Sequence, residues 1–102
     1  MSSQFDTKEH FIFQLTSRIE TYILSFNPKP EIIYPDAFVK HLYYYAFYDY
    51  LKKFQDKLNL HKSEIFEFIS KALHLAISEI NHHYDCGLYK FQDGRYFLCA
   101  NL

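Results

Sequence analysis

Residues 39–52 read V-K-H-L-Y-Y-Y-A-F-Y-D-Y-L-K, and five tyrosines with one phenylalanine fall inside the eight residues from Tyr43 to Tyr50. Neither glycine nor proline interrupts the stretch, so it predicts helix. Wound at about 100° per residue, it gathers Val39, Tyr43, Ala46, Phe47, Tyr50, Leu51, Phe54 and Leu58 on one arc, the expected core side. Across from them, His41, Tyr44, Tyr45, Tyr48 and Lys52 follow spacings of three and four and make an outer ridge. One side of a helix cannot shelter all of these rings. Either the chain covers the ridge itself, with its 27–34 segment or its C-terminal end, or the ridge meets another molecule.

Working outward, Pro35 suits the first position of this helix, and no breaker occurs before Leu58. Its predicted length is about 36 Å at 1.5 Å per residue, the longest element expected. Before it, N-P-K-P-E-I-I-Y over 27–34 reads as an extended connection, because two prolines and the residues preceding them disfavour helix. A first helix is expected over about 6–26. Asp6 and Glu9 resemble a capping box, Phe5 supplies a staple, and Phe11, Ile12, Leu15, Ile19, Tyr22, Ile23 and Phe26 share one third of the circumference. Phe13 lies on the opposite side with Glu9, Ser17 and Glu20 and has no evident core role.

Beyond the tyrosine helix, residues 59–62 form a short turn and Ser63 is the expected N-cap of a third helix over about 63–83. Its apolar stripe is Ile65, Phe66, Phe68, Ile69, Ala72, Leu73, Ala76, Ile77 and Ile80. The period then changes. L-Y-K-F-Q, Asp93-Gly94 and R-Y-F-L-C predict a β-hairpin over about 88–99 with a two-residue turn. Facing Gln92 with Arg95 puts Tyr89, Phe91, Tyr96 and Leu98 on one side, expected to cover the helices. The predicted fold is therefore a single mainly α domain, a three-helix bundle with a long central helix and a C-terminal β-hairpin.

Composition restricts what such a domain does. Of 102 residues, 49% are hydrophobic and 23% charged, close to globular averages, so a core without disulfide staples is expected. A net charge of -1, from 11 basic and 12 acidic residues, supplies no large positive field for nucleic acid or anionic lipid. Two cysteines, Cys86 and Cys99, define no disulfide framework and are expected to be reduced. The amino-terminal residues carry acids and no apolar run of signal-peptide length, and the longest apolar run, Leu42 to Tyr48, is too short to span a bilayer. The cytoplasm is the expected compartment. An AT-rich genome would enrich Phe, Tyr, Ile and Lys throughout, but would not select their positions on a helix.

Candidates for chemistry are few. His82-His83-Tyr84-Asp85-Cys86 concentrates metal-ligating types, with Cys99 nearby on the second hairpin strand, yet no paired C-x2-C or H-x3-H spacing occurs. No metal or cofactor is expected. Cys86 follows a helix C-terminus, where the dipole raises a thiol pKa, so it does not read as a nucleophile. His74 with Ser70 and Ser78 lacks an acidic group to orient it, and two glycines make no phosphate loop. No catalytic residue is expected.

The tyrosine helix, the turn at 59–62 and the third helix resemble a helix-turn-helix, but Glu64 and Glu67 would lead into the groove and repel phosphate. A shallower contact through Lys52, Lys53 and Lys57 with stacked tyrosines makes a nucleic-acid-associated regulator the second hypothesis. A small metal-dependent or thiol enzyme is third. The first expectation is a non-enzymatic protein-binding module acting through His41, Tyr44, Tyr45, Tyr48 and Lys52, by partner capture or as a homodimer. By analogy of size, small bacterial or phage inhibitors, immunity proteins and regulators are of this kind. Tyrosine suits such a surface because it offers a large apolar body and a hydroxyl that tolerates water.

Overall fold

The computed structural model describes residues 4–84 and 87–99 of the chain. The main chain runs through α1 (Gln4–Leu24), β1 (Ile32–Ile33), α2 (Pro35–His41), a π-helical turn (Leu42–Ala46), α3 (Tyr48–Lys57), α4 (Lys62–His82), β2 (Tyr89–Gln92) and β3 (Arg95–Leu98). The mainly α class with a C-terminal hairpin is as the periodicity indicates. The helix expected over 35–58 is instead divided into α2 and α3, and the central element is α4, on which α1, α2 and α3 all pack.

α1 buries Phe11, Leu15, Ile19 and Ile23 completely, a strict four-residue ladder along the expected stripe. Each such side chain contributes roughly 1.5–3 kcal/mol by leaving water. The helix ends at Leu24 rather than near 26, with Ser25 Oγ donating to the Tyr22 carbonyl at 2.6 Å. Phe5 and Asp6 of the expected staple and capping box lie outside the described side chains, while Glu9 is exposed. Ring contacts fix the direction of packing. Phe11 stacks on Phe54 at 4.2 Å while Tyr22 stacks on His41 at 5.9 Å, so α1 is antiparallel to the α2–α3 rod. Phe11 also meets Phe68, and Glu20 lies 3.9 Å from His83, so α1 and α4 run parallel.

α4 begins one residue before the expected Ser63. Its N-cap is His61, whose backbone N–H donates to the Glu64 carboxylate at 2.9 Å, so Glu64 closes the first turn in place of a serine hydroxyl. The preceding reversal is made by Asn59, at φ 55, one of the residue types that enter the left-handed region most readily.

The hairpin has the expected register, Gln92 opposite Arg95, across a turn in which Asp93 and Gly94 both take positive φ. The 27–34 connection contributes what the sequence reading did not include. Ile32 and Ile33 pair with Phe97 and Tyr96, giving a three-stranded sheet ordered β1-β3-β2. A lone hairpin is marginal in water, and the third strand relieves that. The sheet's inner row packs on α4, with Tyr96 and Phe91 against His74 at 5.5 and 5.9 Å. The Asn81 side chain fastens β2 to α4: its Nδ2 donates to the Tyr89 carbonyl at 2.8 Å, and its Oδ1 accepts from Leu88 and Tyr89 N–H at 2.7 and 2.9 Å. Tyr89 Oη donates to the Pro30 carbonyl at 2.7 Å, tying the hairpin to the 27–34 segment.

Candidate interaction surface

The tyrosine stretch folds as it does because its buried positions are spaced too widely for an α-helix. Val39, Leu42 and Tyr43 are buried in its first half, and Leu51, Gln55 and Leu58 in its second. In a regular helix these two sets would face directions about 130° apart, most of which the roughly 100° rotation of one extra residue removes. The π turn absorbs that residue. Phe47 N–H donates to the Leu42 carbonyl, five residues back, at 2.9 Å, and Phe47 leaves helical geometry at φ -129, ψ 35 before α3 resumes. Both sets then face the same core.

The turn is held from inside by polar groups. Tyr43 Oη donates to Gln55 Oε1, and Gln55 Nε2 donates to the Leu60 carbonyl at 3.2 Å. Gln55 is the buried polar residue of the core, 9% exposed, and among the described residues no buried side-chain polar atom is left without a partner. Tyr43 also meets Phe66 edge-on at 5.1 Å. With the π turn pinned to α4 and to the α3–α4 reversal, the residues between the buried positions are pushed outward.

The five ridge residues do not stay on one line. Tyr45 is 79% exposed, Tyr44 42% and Tyr48 45%. Tyr44 and Tyr48 flank the buried Tyr43 ring at 4.9 and 6.2 Å. Tyr45 instead lies 6.0 Å from His41, which is half-buried because α1 draws it in: Tyr22 Oη and His41 Nε2 are 2.7 Å apart. Lys52 is partly exposed and points to Asp56 at 3.6 Å on its own helix, a contact worth little in water. The structure thus brings Tyr44 and Tyr48 together around Tyr43, sets Tyr45 with His41 beside them, and leaves Lys52 apart.

One contributor was outside the sequence reading. Lys62, first residue of α4, donates to Tyr44 Oη at 2.8 Å and stands 5.2 Å above the Tyr44 ring. That hydrogen bond holds its ammonium above the usual lysine range. No local signal could have found it, since the partners are separated by a helix and a reversal. Tyr50, expected in the core, is half-buried beneath the Arg18 guanidinium, 4.1 Å from its ring centre. Burial pushes its phenol up, and Arg18 opposes that. Tyr34, Phe91 and Leu75 are further exposed apolar side chains away from the ridge.

The remaining candidates are placed as follows. His82 and His83 are exposed, while Asp85 and Cys86 of the same string lie outside the described residues. Among the described residues, no three His, Cys, Asp or Glu side chains converge as metal ligands would. His74 Nδ1 and Tyr96 Oη are hydrogen-bonded, so that histidine is engaged with the sheet. Ser70 and Glu67 instead border a shallow depression with Lys40 and Phe66. No helix among the described residues is long and apolar enough to cross a membrane. Compared with known proteins, the chain matches no family model, no curated protein and no solved structure.

Proposed function

We propose that the chain is a non-enzymatic protein-binding module, of the kind that inhibits or regulates a protein partner, and that Tyr44, Tyr45 and Tyr48 are its contact residues with Lys62 at their edge. The observation that carries this reading is Tyr45, a whole phenol ring 79% open to solvent on a π-helical turn whose other side is pinned in the core. Such turns occur frequently at functional sites. A rigidly mounted tyrosine loses little freedom on binding and buries a large area, the property that makes it an interface hot spot. His41 and Lys52 take supporting positions at the margin, His41 through its contact with Tyr45. On composition we place the module in the cytoplasm.

The test is a photo-crosslinking amino acid at position 45, introduced in the native host. A discrete protein joined there should rebind the purified chain, and Tyr45→Ser/Tyr48→Ser should weaken that binding about a thousandfold, the loss of two hot-spot contacts. Undiminished binding by the double variant defeats the reading. If the joined protein is a second copy of the chain, the module acts by self-association, and the same variant should then sediment as a monomer.

A further inference from the structure

A second surface, sharing no residue with the tyrosines, lies along the outer seam of α1 and α4. Phe13, the α1 aromatic with no core role, is 73% exposed there, and Leu75 of α4 faces the same groove at 45%. Ile12 lies between them at partial burial. The groove holds about 490 Å³. Its charged lining is uneven: Glu9, Glu20 and Glu79 against a single cation, Lys71. Because α1 and α4 run parallel, Glu9 and Glu20 mark its two ends on α1, and eleven residues of helix span about 17 Å, three turns.

We propose that this groove receives a basic amphipathic helix of a partner protein, its apolar side chains between Phe13 and Leu75 and its lysines or arginines against Glu9, Glu20 and Glu79. The charges select this occupant. Three carboxylates around an apolar floor repel phosphate polymers and anionic lipid headgroups alike. A second copy docked through a two-fold axis would face this same acidic patch with itself. A cationic helix satisfies both parts of the surface: its apolar anchors at helical spacing fill a channel already formed by two helices, and its basic rim is attracted to the carboxylates. Glu20 is already 3.9 Å from His83, whereas among the described residues no ion pair engages Glu9 or Glu79.

The experiment titrates the full chain with three synthetic peptides: a Leu/Lys peptide with leucines at helical spacing, the same composition in scrambled order, and a Leu/Glu analogue. The ordered Leu/Lys peptide should bind at least about tenfold tighter than either of the others. Phe13→Ser/Leu75→Ser should remove that preference, and Glu9→Lys/Glu79→Lys should transfer it to the Leu/Glu peptide. Both substitution pairs are at the surface, and unchanged circular dichroism confirms that the fold is kept. Equal binding of the scrambled peptide, or full binding by Phe13→Ser/Leu75→Ser, overturns the assignment. So does concentration-dependent dimerisation that Phe13→Ser/Leu75→Ser abolishes, which would make the occupant a second copy. Tyr45→Ser/Tyr48→Ser should leave peptide binding unchanged, so failure at one surface is distinguishable from failure at the other.

Discussion

α4 and the segment from α2 to α3 meet the same demand, one helix side against the core, with opposite solutions. In α4 the buried residues Ile65, Ile69, Ala72, Leu73, Ala76, Ile77 and Ile80 are linked by both three- and four-residue spacings, which together stay close to the helical repeat, and the helix is unbroken for 21 residues. From α2 to α3 the inward positions Val39, Tyr43, Phe47, Leu51 and Gln55 step by four throughout. Each step overshoots a full turn by about 40°, and the drift ends in a π turn. Where spacing closes on the helical period the rod stays straight. In α1 the three steps of four from Phe11 to Ile23 drift in the same way and an unbroken helix tolerates them; over the four steps from Val39 to Gln55 the main chain takes up the difference, and Tyr45, the most exposed aromatic ring among the described residues, lies on that turn.

Deletions test this contrast most severely. Removing Leu75 from α4 would rotate Ala76, Ile77 and Ile80 off the core, a loss on the order of 5 kcal/mol that a domain of this size does not survive. Removing Tyr45, similarly exposed, would close the π turn into a regular α-helix and keep both buried sets in phase, so a cost of about 1 kcal/mol is expected. Circular dichroism shows whether the Leu75 deletion folds, and urea denaturation measures the cost of the Tyr45 deletion. Equal destabilisation would refute the phase argument.

Next in size is the inner anchor of the π turn. Tyr43→Phe leaves Gln55 Oε1 buried without its donor and should cost about 1–3 kcal/mol, whereas Tyr44→Phe, two-fifths exposed, should change stability by less than about 0.5 kcal/mol. A pair of thermal melts decides this, and equal shifts would mean that the polar anchor contributes nothing.

A smaller effect appears in alkali. Burial pushes the Tyr89 phenol from 10.0 up to about 12, and moves Tyr96 in the same direction. The unfolded chain gives up these protons first, so their stabilisation is complete below pH 10.0 and is lost as pH rises toward about 12. Tyr89→Phe should flatten the fall of denaturation midpoint across that window. Smallest of all, Tyr45→Ser and Tyr48→Ser should each alter stability by about 0.5 kcal/mol or less, which separates their effect on binding from any effect on folding.

The elements whose pattern is local were legible in the chain. The four-step ladder of α1, the stripe of α4 and the Asp93-Gly94 reversal with its register all follow from period and turn chemistry, and the structure keeps them. What escaped depends on distance. Pairing of Ile32 with Phe97 joins residues far apart in sequence, and no feature of 27–34 beyond its extended bias points to a strand. Leu42 and Gln55 were absent from the expected core because an ideal projection carries no insertion, although the unbroken steps of four already strained it. At the surface, the excess of rings over shelter was legible, but whether the chain covers Tyr44, Tyr45 and Tyr48 itself was not; the structure leaves all three exposed. The capture of His41 by Tyr22 and the reach of Lys62 to Tyr44 were not legible either, since each needs two helices in place first.

The Asn81 amide has a consequence for the protein's life in a crowded solution. The N–H and C=O of Tyr89 point away from β3, toward the open margin where a foreign strand would add, and one carboxamide occupies both. Exposed margins of this kind are what seed runaway strand stacking between molecules. In β2, where Lys90 and Gln92 alternate with Tyr89 and the exposed Phe91, a single side chain borrowed from a helix therefore closes one of the positions at which a foreign strand would pair.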